Sequence, residues 1–290
     1  MVSPLPARVP ERARTLWENG TGDDRIRVGE LWVLSWDAET VGLSVIAAVR
    51  DGYVVVWPVT LPGETSFAPG LVLEQSPLEV SVTMWPTRET GIGNHLLDRS
   101  LGKLIDPERI HAIADALEEG NDPGFPFATS SAWDRENAAA DRAFVERWTE
   151  LCFNTGGVEH DMLLDAARVQ SAGASSRMTA QLLDLGPQQL RPIWDGVVPI
   201  RESQLSILAE SLDVAPETLL RPDPLASVVS RLASPKFKPA VNETISATGW
   251  TEAAVRNAVR HEFTLAARDD ANSHEVVDRK LADAIARVGR

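Results

Sequence analysis

The residues with the plainest chemical use in this sequence are a late group of cations. Between Leu225 and Arg268, six basic residues (Arg231, Lys236, Lys238, Arg256, Arg260 and Arg268) stand against three acids, Glu243, Glu252 and Glu262. A local excess of positive charge suits a phosphate backbone, because each contact releases condensed counterions. Arg256 and Arg260 are one helical turn apart in the run Thr251 to Arg268, where Val255, Val259 and Phe263 form the apolar stripe. Ile245, Gly249 and Val255 have the spacing of a second helix-turn-helix with glycine at the turn, and an ordinary helical hairpin is the expected form of it. Catalytic spacings are lacking. His261-Glu262 is followed by Phe-Thr-Leu, without the second histidine that a zinc helix needs at i+4. His95, His111, His160 and His274 show no ligand spacing, and neither a glycine-rich phosphate loop nor a nucleophile elbow occurs. No metal or cofactor is expected.

The bulk properties narrow the setting in which those cations act. The 290 residues are 43% hydrophobic and 24% charged, which suits two or three small globular domains. A net charge of -14 opposes non-specific coating of nucleic acid or anionic membrane, so any nucleic-acid contact requires a local basic surface. Cys152 is the one cysteine; an internal disulfide is impossible, and its neighbours Phe144, Trp148 and Leu151 make it a small core residue. The first twenty residues lack the apolar core of a signal peptide, and no stretch approaches the ~20 apolar residues of a membrane helix. A cytoplasmic protein is expected.

The N-terminal half reads as short strands. Up to about residue 27 the chain is a lead-in with one helical turn near Ala13–Trp17. Leu31–Trp36, Leu43–Val49, Tyr53–Trp57, Leu71–Leu73 and Val80–Trp85 then follow, and Asp51-Gly52 between two apolar runs is a hairpin signal. Pro58, Pro62, Pro69 and Pro86 are placed at strand ends, where a missing amide does least harm. Asp106-Pro107-Glu108 opens a helix with the stripe Ile110, Ile113, Ala114, Leu117. Residues 121–130 are a linker, after which Ser131 is placed to cap a helix through Phe153 with Ala140, Phe144, Trp148 and Leu151 packed on one neighbour.

Residues 28–117 resemble the PemK/MazF family of toxin endoribonucleases. The resemblance rests on Gly29-Glu-Leu-Trp-Val, on Val54-Val-Val-Trp-Pro-Val-Thr60, and on Leu97-Asp-Arg-Ser-Leu-Gly-Lys-Leu104 with its following helix. It implies an SH3-like barrel, and it places Thr60 at the family's catalytic hydroxyl. The family's arginine position reads Val41-Gly42 here, with Arg50 at the far end of that strand. Without a cation to stabilise charge on the phosphoryl oxygens, an inactive domain is expected; with a relocated cation, the resemblance implies a single-strand RNA endonuclease.

From Ser175 to Leu220, apolar residues recur at helical spacing at Met178, Leu182, Leu183 and Leu185, then Leu190 and Ile193, then Leu205, Leu208, Ala209 and Leu212. Residues 159–220 resemble the Cro/C1-type (XRE) helix-turn-helix family. Met162–Ala172 takes the first helix, Ser175 the cap of the second, Ala180 the small crossing residue, and Ser203–Leu220 the closing helical pair. The resemblance implies base contact by Gln188, Gln189 and Arg191, since Gln pairs bidentately with adenine and Arg with guanine. It also implies phosphate contact by Ser175 and Ser176. Pro192 falls inside the recognition helix and is expected to kink or shorten it. Five arginines against seven acids across Met162–Arg221 leave phosphate contact to the neighbouring Lys236, Lys238, Arg256 and Arg260.

The expected architecture is multidomain α+β: a lead-in over 1–27, an SH3-like barrel with a terminal helix over 28–120, and a linker with connector helix over 121–158. An all-α helix-turn-helix over 159–222 and a helical region over 223–290 complete it. The expected function is a DNA-binding, toxin–antitoxin-like regulator acting as a homodimer. An endoribonuclease toxin is one alternative. The other is a protein-binding antitoxin or scaffold that holds a toxin or antitoxin partner.

Overall fold

The structure is a computed structural model and describes residues 9–64, 67, 70–121, 135–155, 162–266 and 273–290. The linker at 122–130, the cap at Ser131, Pro69, His160 and Arg268 lie outside the described residues. The chain is mixed α/β, with an antiparallel sheet first and helices after it. It divides into two units that are not colinear with the sequence. One holds Met1–Gly156 and Ala233–Ser246; the other holds Gly157–Leu232 and Ala247–Arg290. The expected C-terminal region is therefore split, and 233–246 belongs with the sheet.

The sheet unit opens with α1 (Glu11–Asn19) and continues through β1 (Glu30–Trp36), β2 (Glu39–Val49), β3 (Tyr53–Thr60), β4 (Leu71–Leu73), β5 (Val82–Met84), β6 (Thr90–Gly93) and β7 (Leu97–Lys103). Helices α2 (Pro107–Glu118) and α3 (Arg135–Thr155) follow. The strand order is β4-β5-β3-β2-β1-β7, with β6 on β3 as well. Nothing pairs β4 to β7 among the described residues, so the sheet is open and not clearly the expected SH3-like barrel. Helices on both faces explain why. Leu31, Val33, Val45 and Trp57 share one core with Ile110 and Ile113 of α2, while Trp32, Leu34, Ile46 and Val56 share another with Phe144 and Trp148 of α3. A sheet buried on both sides needs near-continuous apolar strands, which is how Leu31–Trp36 reads.

Turn chemistry sets the register. Gly52 at φ 79 closes the β2–β3 hairpin as its Asp-Gly signal requires, and Arg50 N donates to Tyr53 O at 3.0 Å. The β1–β2 turn uses Asp37 and Ala38, both left-handed at φ 53 and 62. Pro58 lies inside β3 rather than at its end. Its carbonyl accepts from Trp85 N at 3.0 Å, so its missing amide faces the same side, between the stretches of β3 that pair with β6 and β5. No ladder bond is lost there.

In the helical unit, β8 (Met162–Leu164) leads into α4 (Ala166–Ser171), α5 (Ser176–Leu182), α6 (Pro187–Trp194) and α7 (Glu202–Leu212); β9 (Leu220–Pro222) returns to pair with β8. The expected first helix over Met162–Ala172 is thus half strand, because Leu163 and Leu164 pair with Arg221 and Leu220 before Asp165 caps α4. Helices α8 (Ala226–Leu232), α9 (Lys238–Thr248), α10 (Glu252–Ala266) and α11 (His274–Val288) complete the chain. The break after α9 falls at Gly249, as the Ile245–Val255 spacing predicts. Residues 238–246 of α9 group with the sheet unit, and α8, α10 and α11 pack on one another in the helical one.

Candidate nucleic-acid interface

The helical unit supplies the candidate site through the turn between α5 and α6. Ser175 begins α5, its Oγ accepting from Met178 N at 3.3 Å. Thr179 and Leu183 turn inward, and the chain reverses at Asp184, which is left-handed at φ 50. Met178, placed on the apolar face by its spacing, is exposed instead. Helix α6 starts with Pro187 at its first position, where no amide is needed, and buries Leu190 and Ile193. Its core is shared with Leu164, Val169, Leu208, Ala209 and Leu219.

The expected base- and phosphate-contacting residues fall into two groups. Ser176, Gln188 and Arg191 are exposed on α5 and α6; the Arg191 side chain is 83% accessible and sits 3.5 Å from Asp195. Arg177, exposed in the first turn of α5, joins them, although the resemblance assigns it no contact. Ser175 and Gln189 have structural uses. Gln189 Oε1 accepts from Gly186 N at 2.9 Å, holding the start of α6. Its position three residues after the helix boundary is a capping signal that a base-contact reading overlooks.

Of the four downstream cations expected to face phosphates, three are buried. Arg256 is 4% exposed and donates from Nε and Nη2 to Glu252 Oε1 at 2.9 and 2.7 Å and from Nη1 to Leu232 O. Arg260 is 7% exposed; Nη2 donates to Asp223 Oδ1 at 2.8 Å and Nη1 to Val197 O. Lys238 is 1% exposed, donating from Nζ to Ser35 O at 2.8 Å and His95 O at 2.9 Å in the sheet unit. Those three cations therefore donate to internal carbonyls and, for Arg256 and Arg260, pair with internal carboxylates, because an unpaired buried charge is costly. Lys236 alone of the four is exposed, with its ammonium 5.8 Å from the Phe237 ring.

In the sheet unit, Thr60 is 4% exposed and its Oγ1 accepts from Trp85 Nε1 at 3.3 Å. Trp85 stacks on Phe67 at 4.0 Å, and Phe144 of α3 packs on both. A hydroxyl under that aromatic cover is not presented to an RNA phosphate, which corrects its assignment as a catalytic group. Arg88 of the same unit grips Asp141 of α3 by two 2.7 Å bonds, which raise the guanidinium pKa. Cys152, expected in the core, is half-buried at its edge, and that burial pushes its thiol upward in pKa. Among the described residues no group of three or more His, Cys, Asp or Glu is placed to hold a metal ion, and no helix is long and apolar enough to cross a membrane. No known family model matches the chain, and no curated protein does.

Proposed function

We propose that this chain is a cytoplasmic DNA-binding regulator of toxin–antitoxin type. In it, residues 162–222 are a Cro/C1-type helix-turn-helix module and the sheet unit is a catalytically silent PemK/MazF-like domain. The observation that carries the reading is the α5–turn–α6 pair. Two short helices are joined at left-handed Asp184, four residues after small Ala180, with Gln188 and Arg191 exposed on the second helix. Those side chains have the donors and acceptors for adenine and guanine edges, and Ser176 and Arg177 lie at the start of α5 for phosphates. Burial of Arg256, Arg260 and Lys238 leaves few cations for the backbone, so base contacts carry more of the affinity and the salt slope is shallow. A homodimer on two half-sites supplies the affinity that one two-turn helix lacks.

Selection of duplexes from a random pool by the full chain, followed by gel shifts of the enriched sequence, tests the reading. A specific complex that is weakened by Gln188→Ala and by Arg191→Ala is expected. Failure to enrich any sequence, or indifference to both substitutions, overturns it. Exposed Met178 and Ile207 in the same unit favour a second reading, a module that binds a toxin or antitoxin partner protein. Co-purification of a neighbour gene's product without DNA binding supports that one.

A further inference from the structure

Helix α6 is short, and its middle is weakened by Pro192, whose missing amide deprives the Gln188 carbonyl of its helical donor. An isolated two-turn helix is marginal in water, so its position must come from outside. Its C-terminal end is unusually well held. Val197 N and Val198 N both donate to Pro192 O, at 2.8 and 3.0 Å. Gly196 is left-handed at φ 67, and the Arg221 guanidinium lies against it where a Cβ would stand. Arg260 of α10 then donates to Val197 O and, at 2.8 Å, to Asp223 Oδ1, just past β9. Arg260 and Asp223 are both more than nine-tenths buried, so the pair is shielded from solvent and salt. The planar fork of a guanidinium can reach both acceptors at once; an ammonium reaches them only as a point charge.

We propose that Arg260 is a positioning residue for α6: it fixes the exit of the helix between Val197 and Asp223, so that base reading by Gln188 and Arg191 depends on α10 although α10 touches no nucleic acid. This rests on the DNA-binding reading for its functional half only. The β8–β9 clip holds Asp223 to the start of the module, and Arg260 ties that clip to the end of α6. Loss of the tie frees the exit of α6 at Val197 and Val198, while Leu190 and Ile193 stay in the core that α6 shares with α4, α5 and α7.

The test uses the full chain with Arg260→Met, Arg260→Lys and Asp223→Asn, the last two guarding against a fold lost in the first. Amide hydrogen exchange over residues 190–198 is expected to accelerate about tenfold or more in Arg260→Met, less in Arg260→Lys and Asp223→Asn, with α7 unchanged. On the enriched duplex, affinity is expected to fall about tenfold, while affinity for an unrelated duplex and the salt slope stay as in wild type. A loss of folded protein alone would lower both affinities together. Unchanged exchange at 190–198 overturns the proposal, and so does a salt slope reduced by about one unit, which would make Arg260 a phosphate contact. If wild type enriches no duplex, the DNA reading fails, and the exchange data still decide whether Arg260 positions α6.

Discussion

Lys238 Nζ donates to the carbonyl of Ser35 at 2.8 Å, across 203 positions of the chain. A second bond to His95 O and a position 5.9 Å from the Trp36 ring seat the ammonium at the end of β1. The segment Ala233–Ser246, which follows the helix-turn-helix in sequence, is thereby part of the sheet unit. Lys238→Met keeps the packing of the stem and removes the donor from two buried carbonyls. Destabilisation of about 1–3 kcal/mol is expected, read as a lower urea midpoint by tryptophan fluorescence. An unchanged midpoint would show that the ammonium's own burial cost cancels its bonds.

Gln188 and Gln189 are adjacent and chemically identical, yet opposite outcomes are expected for them. Gln189→Ala frees Gly186 N and is expected to lower stability by about 0.5–2 kcal/mol. Gln188→Ala is expected to leave the melting temperature alone and weaken specific DNA binding by about 1–3 kcal/mol. Thermal melts beside gel shifts separate the two, and a Gln189 effect confined to binding would contradict the capping assignment.

Gly196→Ala places a side chain on a left-handed residue and against the Arg221 guanidinium. A loss of about 1–2 kcal/mol is expected, from backbone strain before any displacement of Arg221 is counted. Differential scanning calorimetry of the full chain measures it.

Thr179 is fully buried, and its hydroxyl has no hydrogen-bond partner among the described residues. Thr179→Val keeps the shape and removes the stranded polar atom, so stability is expected to rise by about 1 kcal/mol. A fall in the denaturant midpoint would mean that the hydroxyl is satisfied in solution.

Burial raises the Cys152 pKa above the ordinary 9.0. A thiol whose folded pKa is raised contributes stability that is complete below the unfolded pKa and is lost as pH climbs through the folded one. Alkylation by iodoacetamide under native conditions is therefore expected to show its midpoint above pH 9.0, moving back to the ordinary value in urea. A native midpoint at or below that value would contradict the partial burial of Cys152 beside Gly91.

Much of this fold is legible residue by residue. The Asp51-Gly52 hairpin, the Pro107 helix start, the α3 stripe of Phe144 and Trp148, and the Ser175 cap are local devices, and each stands where its spacing predicts. The misses have physical reasons. Asp37-Ala38 turns β1 into β2 without a glycine, so no turn signal precedes β2. Met162–Leu164 looks helical by apolar content and becomes a strand because Leu220–Pro222, some 55 residues on, offers it a partner.

Outside Met178 and Met162–Leu164, the sequence alone determined which residues share a face, since helical and strand periodicity are properties of the local backbone. Only the tertiary structure decided what covers each face. Val255 and Val259 are buried as their spacing requires, but Arg256 and Arg260, one position further on, are buried as well. A guanidinium reads as a solvent-facing cation until Glu252, Asp223 and two backbone carbonyls come within reach of its donors, and those partners arrive from α10's own first turn and from elements 24 to 63 positions away. Charge that counted toward a DNA-binding surface was in this way converted into internal pairing, which offsets the desolvation of each guanidinium even though Arg260 Nε has no partner among the described residues.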